Sequence, residues 1–149
     1  KNLCLRFEEV MSGTYTMTGQ SDPPRRFSFR GNVCTAGVVK HLQGGLATLE
    51  GTLDMEDFAD DVPMRGTLEI SPFGKRRVRY ELAFLGGDGA PYQFVGEKNL
   101  KLSHLVSSWT TLLGQVHDRT GKEIARATLH FDLKADLLPF LVSWKPVLA

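Results

Sequence analysis

Val78, Tyr80, Leu82 and Phe84 alternate one for one with Arg77, Arg79, Glu81 and Ala83. A period of two belongs to a strand with one buried face, because successive side chains leave a strand on opposite sides. The run Tyr92, Phe94 and Gly96, interleaved with Gln93, Val95 and Glu97, repeats the pattern. Between the two runs, Gly86-Gly87-Asp88-Gly89 supplies positions that accept positive φ, so the whole reads as a β-hairpin.

The same reading predicts strands near Leu5 to Met17, Phe27 to Cys34, Leu46 to Met55, Met64 to Ser71, Thr110 to His117 and Lys122 to Leu133, about eight in all. Turns at Gly19 to Arg25, Pro72 to Lys75 and Asp118 to Gly121 suit a meander, and closing such a sheet removes its exposed edges. The expected fold is mainly β, an antiparallel meander forming a calycin-like barrel or a curled sandwich. Two segments depart from alternation. Ala36 to Gln43 places Val38, Val39 and Leu42 at helical spacing, and Ala135 to Trp144 does so with Leu137, Leu138 and Leu141, which predicts two short amphipathic helices. A hairpin followed by a helix near each end is the pattern an internal duplication leaves.

At 149 residues the chain fits one domain, 1–149, that buries roughly 70% of its extended surface in a single core. Its 42% hydrophobic and 23% charged residues argue against disorder and collagen-like repeats. Its apolar runs fall far short of the ~20 residues that span a bilayer. A net charge of +1 gathers no phosphate backbone, so nucleic acid is not an expected partner. With Leu5 to Met17 and Phe27 to Cys34 as a hairpin, Cys34 is expected roughly opposite Val10 rather than Cys4, a register that does not bridge the two cysteines. The chain opens at Lys1 with neither an initiator Met nor an apolar signal core, which reads as a processed or excised piece.

The polar residues offer few catalytic patterns. His41, His104, His117 and His130 lack the spacing of a zinc site, so no metal is expected. The Gly86 to Gly89 run lacks the lysine and hydroxyl residue of a phosphate loop and reads as a turn. Lys75, Arg76, Arg77 and Arg79 read as a solvated face. Asp54, Glu56, Asp57, Asp60 and Asp61 lack the order of a calcium loop and read as an exposed connection, with pairing to the basic strand as an option. Trp109 and Trp144 flank the last hairpin and helix, as core residues or as covers of a barrel mouth.

One pair stands apart. Glu9 shares a face with Phe7, Met11, Tyr15 and Met17, and Lys98 shares one with Tyr92 and Phe94. Charges on apolar faces are costly unless paired. Glu9 and Lys98 therefore read either as a structural ion pair or as groups that orient the polar end of a ligand in an apolar cavity.

Four ordered motifs carry a resemblance: Phe7-Glu8-Glu9-Val10-Met11-Ser12-Gly13, Met64-Arg65-Gly66-Thr67-Leu68, Arg76-Arg77-Val78-Arg79-Tyr80, and Asp88-Gly89-Ala90-Pro91-Tyr92-Gln93-Phe94-Val95-Gly96-Glu97-Lys98. From about Phe7 to Phe140 the chain resembles the accessory region that follows the flavoenzyme portion in long cholesterol-oxidase-like glucose-methanol-choline oxidoreductases. Glu9, Met11 and Gly13 match the first motif, and Tyr92, Gly96 and Lys98 the last. Ser107 to Leu112 aligns with a tryptophan- and threonine-rich segment of that family, without its aspartate. The family's catalytic residues and flavin-binding glycines have no counterpart here, so the resemblance implies an accessory domain without a cofactor.

The expected function is a non-catalytic binding or accessory module. Its partner is a hydrophobic small molecule of the lipid or sterol class, or an adjacent oxidoreductase-type domain. The candidate ligand-binding residues are Glu9, Met11, Tyr15, Tyr80, Tyr92, Phe94, Lys98 and Trp109. The alternatives are a structural domain with a filled core, or a small enzyme in which Glu9 transfers protons and Lys98 tunes it.

Overall fold

A computed structural model describes residues 3–35, 45–71, 77–99, 110–131 and 145–148. Its strands are β1 (Leu3–Met17), β2 (Arg25–Thr35), β3 (Gly45–Met55), β4 (Ala59–Ser71), β5 (Arg77–Leu85), β6 (Pro91–Asn99), β7 (Thr111–Asp118), β8 (Glu123–His130) and β9 (Lys145–Leu148). Each of β1 to β8 pairs antiparallel with its sequence neighbour, and β1 also pairs with β8. The eight strands therefore close into an up-and-down barrel rather than a curled sandwich. No described residue lies in a helix long and apolar enough to cross a membrane. The two helices expected at Ala36 to Gln43 and Ala135 to Trp144 fall outside the described residues, as does the duplication argument that rests on them.

Alternation sets the core. On β5 the burial pattern puts Val78, Tyr80, Leu82 and Phe84 inside and leaves Arg77, Arg79, Glu81, Ala83 and Leu85 half-buried or exposed. Met11, Phe27, Leu49, Leu53, Met55, Leu82, Phe94, Leu112, Val116 and Leu129 are fully shielded from solvent. The lumen holds a column of rings, Tyr15 to Phe27 to Phe94 to Phe29 to Tyr80, with successive centroids 6.2, 5.2, 6.4 and 5.9 Å apart. Rings at such separations attract beyond the area they bury.

Glycines make the column possible. A Cβ at Gly114 would stand 2.4 Å from the Phe94 ring, so the missing side chain on β7 is the space that ring occupies. At Gly66 the obstacle is backbone: a Cβ would lie 1.7 Å from the Glu81 carbonyl oxygen on the neighbouring strand. Strands of a small barrel must bend sharply, and glycine is where they do so.

Two expectations about pairing are corrected. β1 and β2 pair with Tyr15 opposite Arg25 and Arg6 opposite Cys34, so Cys34 does not face Val10. The reason is at the turn. β2 starts at Arg25, two residues earlier than expected, and its pairing with β1 stops at Tyr15, two residues short of Met17, while Thr16 and Met17 pair with β8. The shift is even, so every side chain keeps its face. Cys34 is disulfide-bonded, and the chain's other cysteine, Cys4, stands two residues from Arg6 on β1.

Among the described residues the acidic stretch does not pair with the basic strand. Glu56 and Asp57 approach Arg26 and Arg25, at 3.8 Å each, while Arg79 pairs with Glu81 and Glu97, and Arg77 with Glu97. Asp57 and Asp61 hold positive φ, 62° and 48°, which turn the chain from β3 and bulge the start of β4. Short polar side chains tolerate that backbone better than most.

The barrel has two unlike ends. At one, short turns join β1 to β2, β3 to β4, β5 to β6 and β7 to β8. The turn after β5 is tied to the turn after β3 by a hydrogen bond from Gly87 N–H to the Phe58 carbonyl, 2.7 Å, and Tyr92 packs on Phe58 beside it. The connections 36–44, 72–76, 100–109 and 132–144 all leave from the opposite end.

Candidate functional site

Inward-facing positions near the second end carry the lumen's charges. Glu9 comes from β1, opposite Gly31 of β2, and Lys98 comes from the last turn of alternation on β6, opposite Val78. They are 5% and 7% exposed, and no other charged residue among those described is buried. Lys98 Nζ stands 3.5 Å from Glu9 Oε1.

Tyr80 completes the cluster. It sits on β5, four strands from β1 in either direction around the barrel, and its hydroxyl donates a hydrogen bond to the Glu9 carboxylate. The bond thus crosses the lumen between opposite walls. Lys98 Nζ also lies 5.2 Å from the centre of the Tyr80 ring, where the ring's negative face attracts a cation. Burial, the Glu9 charge and the hydrogen bond to Glu9 together hold the Tyr80 phenol well above its ordinary range. It stays protonated as a donor throughout the physiological range.

The remaining sequence-derived candidates divide between the ends. Met11 and Phe94 are fully buried, Met11 one inward step along β1 from Glu9 and Phe94 two inward steps along β6 from Lys98, with Gly96 between. Tyr15 stands at the short-turn end, where its hydroxyl donates to the Glu56 backbone carbonyl. Tyr92 is also at that end, stacked on Phe84 and donating its hydroxyl to Asp88 at 2.8 Å. Trp109 falls outside the described residues. The structure therefore brings Glu9, Tyr80 and Lys98 together and places Tyr15 and Tyr92 apart from them.

Comparison with family models, with curated proteins and with solved structures finds no match. The site is read from its own chemistry. Among the described residues no group of three or more His, Cys, Asp or Glu converges as a metal site would require. Two open depressions, of about 510 and 470 Å³, lie on the outer wall. The first is bordered by Gln93, His117 and Asp118, and the second by Arg79, Glu97, Leu113 and Arg126. Neither includes a residue of the Glu9 cluster.

Alternation alone flagged Glu9 and Lys98, because a charge at an inward position violates the pattern. The same alternation places Tyr80 among the inward aromatic candidates, but nothing in it ties that residue to Glu9. A tyrosine on an apolar face looks like any core ring, and only closure of the sheet brings β5 across from β1.

Proposed function

We propose that this chain is a non-catalytic module that holds a hydrophobic small molecule of the lipid or sterol class. The polar end of the ligand meets Glu9, Tyr80 and Lys98. The observation that carries this reading is the ion pair itself, bridged by a phenol across a lumen whose other buried side chains, among the described residues, are hydrophobic. Charged groups in such a setting stabilise a fold poorly relative to well-packed apolar residues, which favours a role in recognition. The aromatic column beneath them is a floor against which an apolar body rests. In this reading the barrel works as a calycin-like container.

Its resemblance to an accessory region of cholesterol-oxidase-like enzymes supports the same class of ligand and suggests an oxidoreductase-type domain as the neighbour that delivers or consumes it. Native mass spectrometry of protein purified from its own host tests the reading. A retained lipid-sized mass, released on denaturation, is expected. A bare mass, together with no uptake of added lipids or sterols, would instead mark a structural domain whose ring column fills the barrel.

A further inference from the structure

The charges in the lumen cancel. Glu9 and Lys98 are the buried charged residues among those described, and they are paired with each other. A ligand's polar end that reaches them meets a carboxylate, an ammonium and a phenol within one cluster. Its own charge then decides how well it fits.

From this geometry we infer that the ligand is a neutral alcohol and not a carboxylate, an inference that rests on the ligand-holding reading above. A hydroxyl group donates one hydrogen bond and accepts others. Inserted at the cluster, it donates to the Glu9 carboxylate and accepts from the Lys98 ammonium or the Tyr80 phenol, so every group keeps a partner. A ligand carboxylate offers only acceptors. It would share Lys98 with Glu9 and place two negative charges side by side where water screens them poorly, an arrangement that charged groups resist strongly. A ligand ammonium meets the converse problem at Lys98. A ketone accepts from Lys98 but gives Glu9 nothing. An alcohol gives Glu9 a donor and Lys98 an acceptor while bringing no charge of its own.

The test is displacement of the neutral dye Nile red from the purified protein by dodecanol and by dodecanoate, which share a chain and differ in head group. Dodecanol is expected to displace the dye at a concentration at least about tenfold lower than dodecanoate. Glu9→Gln removes the negative charge and leaves Lys98, so the preference should reverse toward dodecanoate. Equal or better displacement by dodecanoate from the wild-type protein overturns the inference while leaving a hydrophobic-ligand module in place. An unchanged preference for dodecanol in a folded Glu9→Gln variant overturns it too. If that variant does not fold, the wild-type ratio decides alone. No uptake of the dye and no effect of either compound overturns the ligand-holding reading, and this inference falls with it.

Discussion

Removing one member of the Glu9 and Lys98 pair strands the other in the lumen, since both side chains are almost wholly shielded. Each single substitution, Glu9→Gln or Lys98→Met, is expected to cost about 3 to 5 kcal/mol in urea denaturation, and the double substitution far less. A double variant that regains stability but takes up less Nile red than the wild-type protein would assign the pair to recognition. Tyr80 adds a dependence on pH. Its phenol is held well above the ordinary value of 10.0, chiefly by burial and then by the Glu9 charge. Below pH 10 the folded and unfolded chains both keep that proton, and the stabilisation is complete. Above it the unfolded tyrosine ionises while Tyr80 does not, so stability drains as pH rises. Tyr80→Phe should cost roughly 1.5 to 3 kcal/mol near neutral pH through the lost bond to a carboxylate. The gap between the two proteins should narrow between about pH 10 and pH 11.

At the scale of strands and turns, the glycines on inward positions are separable by what opposes them. A methyl group at Gly114 would stand 2.4 Å from the Phe94 ring and 2.8 Å from the Val95 carbonyl, whereas one at Gly66 would stand only 1.7 Å from the Glu81 carbonyl. Gly114→Ala is expected to cost roughly 1 to 3 kcal/mol and Gly66→Ala more, by the same denaturation measurement. The β7–β8 turn depends on Asp118. Its carboxylate accepts hydrogen bonds from the Thr120 hydroxyl at 2.6 Å and from the Thr120 and Lys122 N–H groups at 2.9 and 3.0 Å. The bond from the Thr120 hydroxyl is the main reason its pKa lies below the ordinary 3.8. A lowered carboxylate pKa stabilises the fold above the ordinary value, and the effect is lost as pH falls through the lowered one. Asp118→Ala should therefore lower the melting temperature at neutral pH and make little difference near pH 2.

For the whole molecule, closure rests on β1. It pairs with β2 from Leu5 to Tyr15 and with β8 from Ser12 to Met17, so Ser12 to Tyr15 bond on both edges. The second seam joins residues more than 100 positions apart, Ser12 with His130 among them. Long-range pairing of this kind slows folding, and the barrel is expected to fold on the order of milliseconds to seconds. Hydrogen exchange should show the β1–β8 seam protected as strongly as the β1–β2 hairpin in the native state; a seam that exchanges early would mean the barrel is open. Cys34, being disulfide-bonded, should resist alkylation in the native protein until a reductant is added.

By itself the sequence determined the class of fold, because a two-residue period leaves no structure but the half-buried strand, and glycine-rich punctuation divides the strands. It also determined that Glu9 and Lys98 face inward, since parity along a strand does not depend on which strand lies beside it. Register was beyond its reach: an even slip keeps all faces, so alternation is blind to the difference between Cys34 opposite Val10 and Cys34 opposite Arg6. So was the pairing of Arg25 and Arg26 with the acidic turn after β3, which follows from which turns share an end. Only closure decided that Tyr80 crosses the lumen to Glu9, because the distance between β1 and β5 is set by the curvature of the whole sheet and by no local segment of it.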